Sequence, residues 1–261
     1  MVRATIAWLA GIMMFAGHAA AAIHTEEVEY RAGETALRGY LAYDDASPAK
    51  RPGVLVVHEW WGLNEHARHK AEALAKAGYV ALAVDMYGDG KTTEHPQEAG
   101  EWSGYISQHQ ELGMARFLAG LKILKSQPLV AADQVAAIGY CFGGRVVLSM
   151  AVQGADLRAV ASFHGAMPAE SVAPGIPVKA KVLICHGGAD SMVTMDKVQG
   201  FQEVLTAAGA DWQFISYGGA QHSFTNPTAD SRGIPGLAYD AAADRRSWRA
   251  MLDFFREIFA E

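Results

Sequence analysis

Gly139-Tyr-Cys-Phe-Gly143, followed by Gly144 and an apolar run to Val152, is the stretch on which the fold turns. Ahead of it, Gln134 to Ile138 is a short apolar run of strand character, and Gly144 to Val152 has helical spacing. A strand that passes into a helix within five residues turns tightly, and glycines on either side let strand and helix approach. The central residue, Cys141, is then raised to the sheet's edge at the positive end of a helix dipole, which favours a thiolate. The pattern reads as a nucleophile elbow with cysteine in the reacting position. It also fits a buried structural cysteine, so the rest of the chain has to decide.

Outward from the elbow, strands and helices alternate. Glu27 to Arg31 and Leu37 to Tyr43 read as two strands joined by a turn at Gly33, an antiparallel hairpin. Gly53 to His58 and Tyr79 to Val84 are continuous apolar runs, as expected for strands buried on both faces. The spacing predicts helices over Asn64 to Lys76, Glu111 to Ser126, Thr194 to Ala208 and Tyr239 to Ala260. Further strands are expected at Ala159 to Phe163, Val182 to Cys185 and Trp212 to Tyr217, and residues 86 to 110 read as irregular. Such alternation implies an α/β fold, a mostly parallel central sheet with helices on both faces and a ligand crevice at the carboxyl ends of the strands. There is no fixed-period repeat and no Pro-, Gly- or Ser-rich linker, so one domain is expected over 23–261.

The residues just after each strand therefore matter most. After the strand ending at Cys185 comes His186-Gly-Gly-Ala-Asp190, and after the strand ending at Tyr217 comes Gly-Gly-Ala-Gln-His222-Ser-Phe224. Nucleophile, acid, histidine is the chain order of an α/β-hydrolase triad. Cys141 would attack a carbonyl, His222 would move the proton and Asp190 would orient the imidazole. The oxyanion needs two fixed N–H donors, expected at Phe142, the residue after the nucleophile, and at Trp60 in His58-Glu-Trp-Trp-Gly-Leu63. Trp61, Tyr87, His164 and Phe224 also follow strand ends and are expected to line a substrate pocket.

With these segments in view the chain resembles the dienelactone hydrolase family, α/β-hydrolases with a Cys-His-Asp triad. The resemblance runs from about Glu27 to Phe259. It is carried by residues 58–63, Asp85-Met-Tyr-Gly88, 139–144, 186–190 and 222–224. It implies hydrolysis of a small ester or lactone, of the carboxymethylenebutenolidase type, through an acyl-enzyme and without a cofactor. It also implies that Glu59 contacts the resting cysteine and helps to generate the thiolate, which makes Glu59 a fourth catalytic candidate. The best-known members bind the substrate carboxylate with two arginines. Here the corresponding stretches read Gly88-Asp-Gly-Lys91 and Thr225-Asn-Pro227, neither with an arginine, which argues against the anionic dienelactone itself.

Other features narrow the class. With 51% hydrophobic and 19% charged residues the chain can bury a core, and its formal charge of -6 argues against nucleic acid or anionic membrane as the main partner. Arg3, the apolar run from Ala4 to Gly17 and the alanines at 19 to 22 describe a secretory signal peptide over 1–22. The expectation is an exported, periplasmic or secreted monomer with no membrane anchor after cleavage. The only cysteines, Cys141 and Cys185, end different strands and are expected to be free thiols. Arg145 reads as a structural ion pair, and His66 and His69 as a solvated helix face rather than a metal pair. No dinucleotide or phosphate loop is present, so neither cofactor nor metal is expected. Two other readings stay open: a small-molecule-binding protein on a hydrolase fold with an idle cysteine, and a thiol redox protein.

Overall fold

The computed structural model describes residues 22–168, 172 and 177–260. The export segment expected at 1–22 lies outside them except for Ala22. Eight strands form one sheet: β1 (Ile23–Ala32), β2 (Thr35–Asp44), β3 (Arg51–Val57), β4 (Val80–Val84), β5 (Val130–Tyr140), β6 (Ala159–Phe163), β7 (Lys181–Gly187) and β8 (Trp212–Tyr217). Their order is β1-β2-β4-β3-β5-β6-β7-β8. β1 pairs antiparallel with β2 and β2 with β4, while every later pair is parallel.

The apolar runs in β3 and β4 are buried on both faces because helices cover both. On one side Leu55, Val57 and Leu82 pack with Phe117, Leu121 and Leu124 of α3 (Gln110–Lys125) and Val146 and Val147 of α4 (Phe142–Val152). Phe201 and Leu205 of α5 (Met195–Ala207) complete this core at its far end. On the other side Val54, Val56 and Ala83 meet Ala67, Ala71 and Leu74 of α1 (Glu65–Lys76) and Met251, Phe254 and Phe255 of α6 (Ala241–Ala260). Each large side chain so buried contributes roughly 1.5–3 kcal/mol.

Two expectations change. The stretch read as irregular contains a helix, α2 (Pro96–Gln108), begun by a proline in its first turn, where the missing N–H has no intrahelical role. His66 is not on a solvated face. It is buried with its ring against Tyr140 at 5.0 Å, and only His69 stands in solvent. The helix buries His66 with four small or branched residues, Ala67, Ala71, Leu74 and Ala75, so it can lie close to the sheet. The chain runs outward from β3 to β4, then crosses back to place β5 on the other side of β3. That reversal opens a crevice at the carboxyl ends of β3 and β5, where Cys141 sits.

Candidate active site

The elbow is assembled by exclusion. A β-carbon on Gly139 would drive into the Gly143 carbonyl, and one on Gly143 into the carbonyls of Val57 and His58. Only glycine lets β5, α4 and the end of β3 meet so closely. Between them Cys141 takes φ 53° and ψ -112°, a conformation that side chains avoid. Its N–H is held by the Phe163 carbonyl at 3.1 Å, and its carbonyl accepts the Arg145 N–H at 3.2 Å, the first bond of α4. The Phe142 N–H lies in the opening turn, which has no intrahelical partner for its first N–H groups.

Beside it stand the other two expected residues. The Cys141 Sγ is 3.1 Å from His222 Nε2, and His222 Nδ1 is 2.8 Å from Asp190 Oδ2. Asp190 Oδ1 accepts the N–H groups of Met192 and Val193 at 2.8 and 2.9 Å, which fixes the carboxylate plane. Burial would raise the Asp190 pKa, but the hydrogen bond and charge of His222 and those two N–H groups hold it below the ordinary value. For His222 burial pulls the other way from its partners: the Cys141 thiolate and the Asp190 carboxylate overcome it and lift the imidazole to about 10. The imidazole therefore binds its proton more firmly than a free histidine does.

Glu59 is buried, and its carboxylate accepts Ser223 Oγ at 2.9 Å and Asn226 Nδ2 at 2.5 Å. These bonds go to the segment that carries His222, where the resemblance implied a contact with the thiol. Asn226, in one of the stretches that carries an arginine in the best-known members, is occupied in holding Glu59. The His58–Leu63 loop turns through a Gly62 N–H to Glu59 carbonyl bond of 3.4 Å. The turn brings Trp60 above the carboxyl end of β3, and the Tyr87 hydroxyl donates to the Trp60 carbonyl at 2.9 Å. Burial, and after it the charge of a Cys141 thiolate, raises the Tyr87 pKa, so its phenol keeps its proton beside the sulfur.

All four expected pocket residues are buried, Tyr87 tied by its hydroxyl to the Trp60 carbonyl. Trp61, His164 and Phe224 are interior side chains. Trp61 is packed against Trp60 at 4.8 Å and under the Arg232 guanidinium at 4.5 Å. His164 and Phe224 touch each other at 5.1 Å beneath His222. Aromatic residues after strand ends serve here as the floor under the loops. A small recess opens instead on the far side of Phe142, between α2, α3 and α4, with Ile106, Met114, Val146 and Met150 in its wall. Its α2 contribution came from the stretch that had looked irregular. The two cysteines are free, and burial pushes the Cys185 thiol up to about 12. Among the described residues no group of three His, Cys, Asp or Glu is placed to hold a metal ion.

Three comparisons bear on this arrangement. The sequence profile of the dienelactone hydrolase family matches residues 37–259. The crystal structure of a dienelactone hydrolase-like promiscuous phosphotriesterase from metagenomic libraries superposes with a TM-score of 0.87 and 38% identity, covering 91% of this chain and 99% of that one. A Yersinia pestis protein provisionally named a carboxymethylenebutenolidase is 27% identical over 246 residues, 90% of this chain and 89% of its own length. An uncharacterized Caenorhabditis elegans protein is 40% identical over 147 residues, 56% of this chain and 93% of its own.

Proposed function

The chain belongs to the dienelactone hydrolase family, hydrolases of ester bonds, and from that premise we propose that it cleaves a small neutral ester or lactone through a Cys141 acyl-enzyme. The observation that carries this reading is the unbroken line from sulfur to carboxylate, 3.1 Å from Cys141 to His222 and 2.8 Å from His222 to Asp190. The thiolate adds to the carbonyl carbon, and the oxyanion is met by the N–H groups of Trp60 and Phe142. As the tetrahedral species collapses, the carbon–oxygen bond breaks and the alkoxide takes the proton from His222. Water then attacks the thioester with His222 as base, and the acid leaves as the thiolate re-forms. In a lactone the freed alcohol stays tethered to the acyl group.

A neutral substrate is favoured because neither stretch that carries a carboxylate-binding arginine in the best-known members has one here, and Asn226 in the second is engaged by Glu59. A binding protein with an idle cysteine would need neither the strained elbow nor the line from sulfur to carboxylate. A second reading, slow phosphotriester hydrolysis by the same thiolate, is favoured by the 38% identical relative named for that activity.

The test is hydrolysis of p-nitrophenyl acetate, neutral lactones and a p-nitrophenyl phosphotriester by the wild type, by Cys141→Ala and after iodoacetamide treatment. Loss of ester turnover in both altered forms is expected, and Cys141→Ala that still turns over ester would sink the acyl-enzyme. Export is part of the same proposal. A mature N-terminus near Ile23, read by peptide sequencing of the exported fraction, is the expected result. A monomer is expected by light scattering.

A further inference from the structure

His222 is carried by a short segment, 222–226, that turns through Ser223 at φ 57° and is gripped from beneath. Two of the grips come from histidines that the proposed acyl transfer does not use. Thr225 receives both: its Oγ1 lies 2.8 Å from His164 Nε2 and its carbonyl 3.2 Å from His66 Nε2. His164 and His66 come from different elements, the end of β6 and helix α1, so Thr225 is tied to two independent parts of the scaffold. The His164 ring also meets the His222 ring edge-on at 63°, with centroids 5.3 Å apart.

His164 is itself held in place. It sits at φ 41°, its N–H bonded to the Cys185 carbonyl at 2.8 Å, and its side chain is shut off from solvent. Burial, and then the charges of His222, His66 and Lys70, keep its pKa well below the ordinary value. His66 is lowered by burial too, against the pull of Glu59. Both rings are therefore neutral, with one N–H each. The Thr225 carbonyl can only accept, so His66 donates through Nε2. His164 Nδ1 has no hydrogen-bond partner, which leaves the Thr225 hydroxyl as the polar anchor of that ring.

We propose that Thr225, clamped between His164 and His66, is a positioning residue that sets the His222 imidazole at bonding distance from the Cys141 sulfur. The inference rests on the reading of Cys141 and His222 as the reacting pair. Without the hydroxyl, His164 would keep no hydrogen bond from either ring nitrogen, and a buried ring in that state moves to find one. The His222 ring that packs on it then loses its wall. Displacements of this kind act on rate, since misplacement by an ångström can lower it about a hundredfold.

The test compares Thr225→Val, which keeps the shape and removes the hydroxyl, with Thr225→Ser, which keeps the hydroxyl. Two rates are read: kcat and KM for p-nitrophenyl acetate, and the rate at which iodoacetamide modifies Cys141 at neutral pH. In Thr225→Val, kcat and the modification rate are expected to fall roughly ten- to a hundredfold with KM nearly unchanged. Thr225→Ser restores both. The imidazole titration of His222, followed by NMR, moves down from about 10 toward 6.5 in the valine variant. The titratable groups facing His222 are Cys141, Asp190, His164 and His186, of which Cys141 and Asp190 raise it against burial. Unchanged rates and titration in a folded Thr225→Val, or a serine variant as impaired as the valine one, would overturn the proposal.

If Thr225→Val does not fold, His164→Gln takes its place with the same two rates and the same expectations. Alkylation needs no substrate, so the two readings separate. Ester turnover with unaltered Thr225→Val rates removes the clamp alone. Absence of ester turnover with alkylation still dependent on Thr225 removes the ester reading alone.

Discussion

Glycine would be the comfortable residue at position 141, where φ is 53° and ψ -112°, yet the chain places a cysteine there. Strain of this kind is worth about 1–3 kcal/mol and persists where chemistry needs the side chain. Cys141→Gly is accordingly expected to unfold at a higher urea concentration than Cys141→Ala, by about 1 kcal/mol, because the gain in strain relief exceeds the added chain entropy of glycine. Both variants lack turnover, so stability and activity part company at this one residue. Equal midpoints would mean that the neighbouring carbonyls relax around any β-carbon. Cys141, Asp190 and His222 were legible in the sequence because each follows a strand and the chain order carries the assignment. Glu59 was legible as a residue and not as a set of contacts. Its partners Ser223 and Asn226 lie more than 160 positions away in the chain and approach it only when the segment after β8 folds over β3.

Among the elements, the turn after β4 shows how a motif becomes a support. The buried Asp85 carboxylate accepts N–H groups from Tyr87, Gly88 and Gly90, each at 2.8 Å, and from Arg38 at 3.2 Å. One side chain thus organises the loop that carries Tyr87 and fastens the turn to β2. Asp85→Ala would leave buried donors without acceptors, each such loss costing about 1–3 kcal/mol. A fall in stability of about 3 kcal/mol or more by urea titration is expected, together with reduced kcat/KM as Tyr87 loses its perch. Asp85→Asn retains acceptor capacity and should lose less. Asp85-Met-Tyr-Gly88 stood out in the sequence, but its hydrogen bonds did not, since they depend on a turn geometry that periodicity does not report. Helix α2 was obscured for a related reason: Gly100 and Gly104 dilute its helical pattern, and the stabilising contacts of Trp102 and Ile106 are with Tyr87 and the core rather than within the helix.

At the scale of the whole molecule, the strand-helix alternation was readable and the strand order was not, because the two long antiparallel strands could have joined either edge. The placement of β2 beside β4 follows from three-dimensional pairing, Tyr40 with Ala83 and Ala42 with Ala81. The fold also buries His58, His66 and His164 as neutral rings, each with its pKa lowered chiefly by burial. His58 needs that state, as its Nε2 accepts the Met86 N–H at 3.2 Å. A histidine depressed in the folded state binds its proton first in the unfolded chain. The stability it contributes is therefore complete above the unfolded value near 6.5 and is lost as pH falls from there toward the folded pKa. Each ring removes at most about 1.4 kcal/mol per pH unit in that window. His222 adds none of it, being protonated in both states below 6.5. Urea midpoints should drop as pH falls below 6.5, and a flat profile there would contradict the assigned ring states. The elbow has one more consequence. With Cys141 held on its strained backbone and His222 fixed 3.1 Å to one side of the sulfur, the proposed attack comes from one direction and favours one of the carbonyl's two faces. The site is handed, and a racemic lactone should be consumed unequally, leaving the slower mirror image in excess.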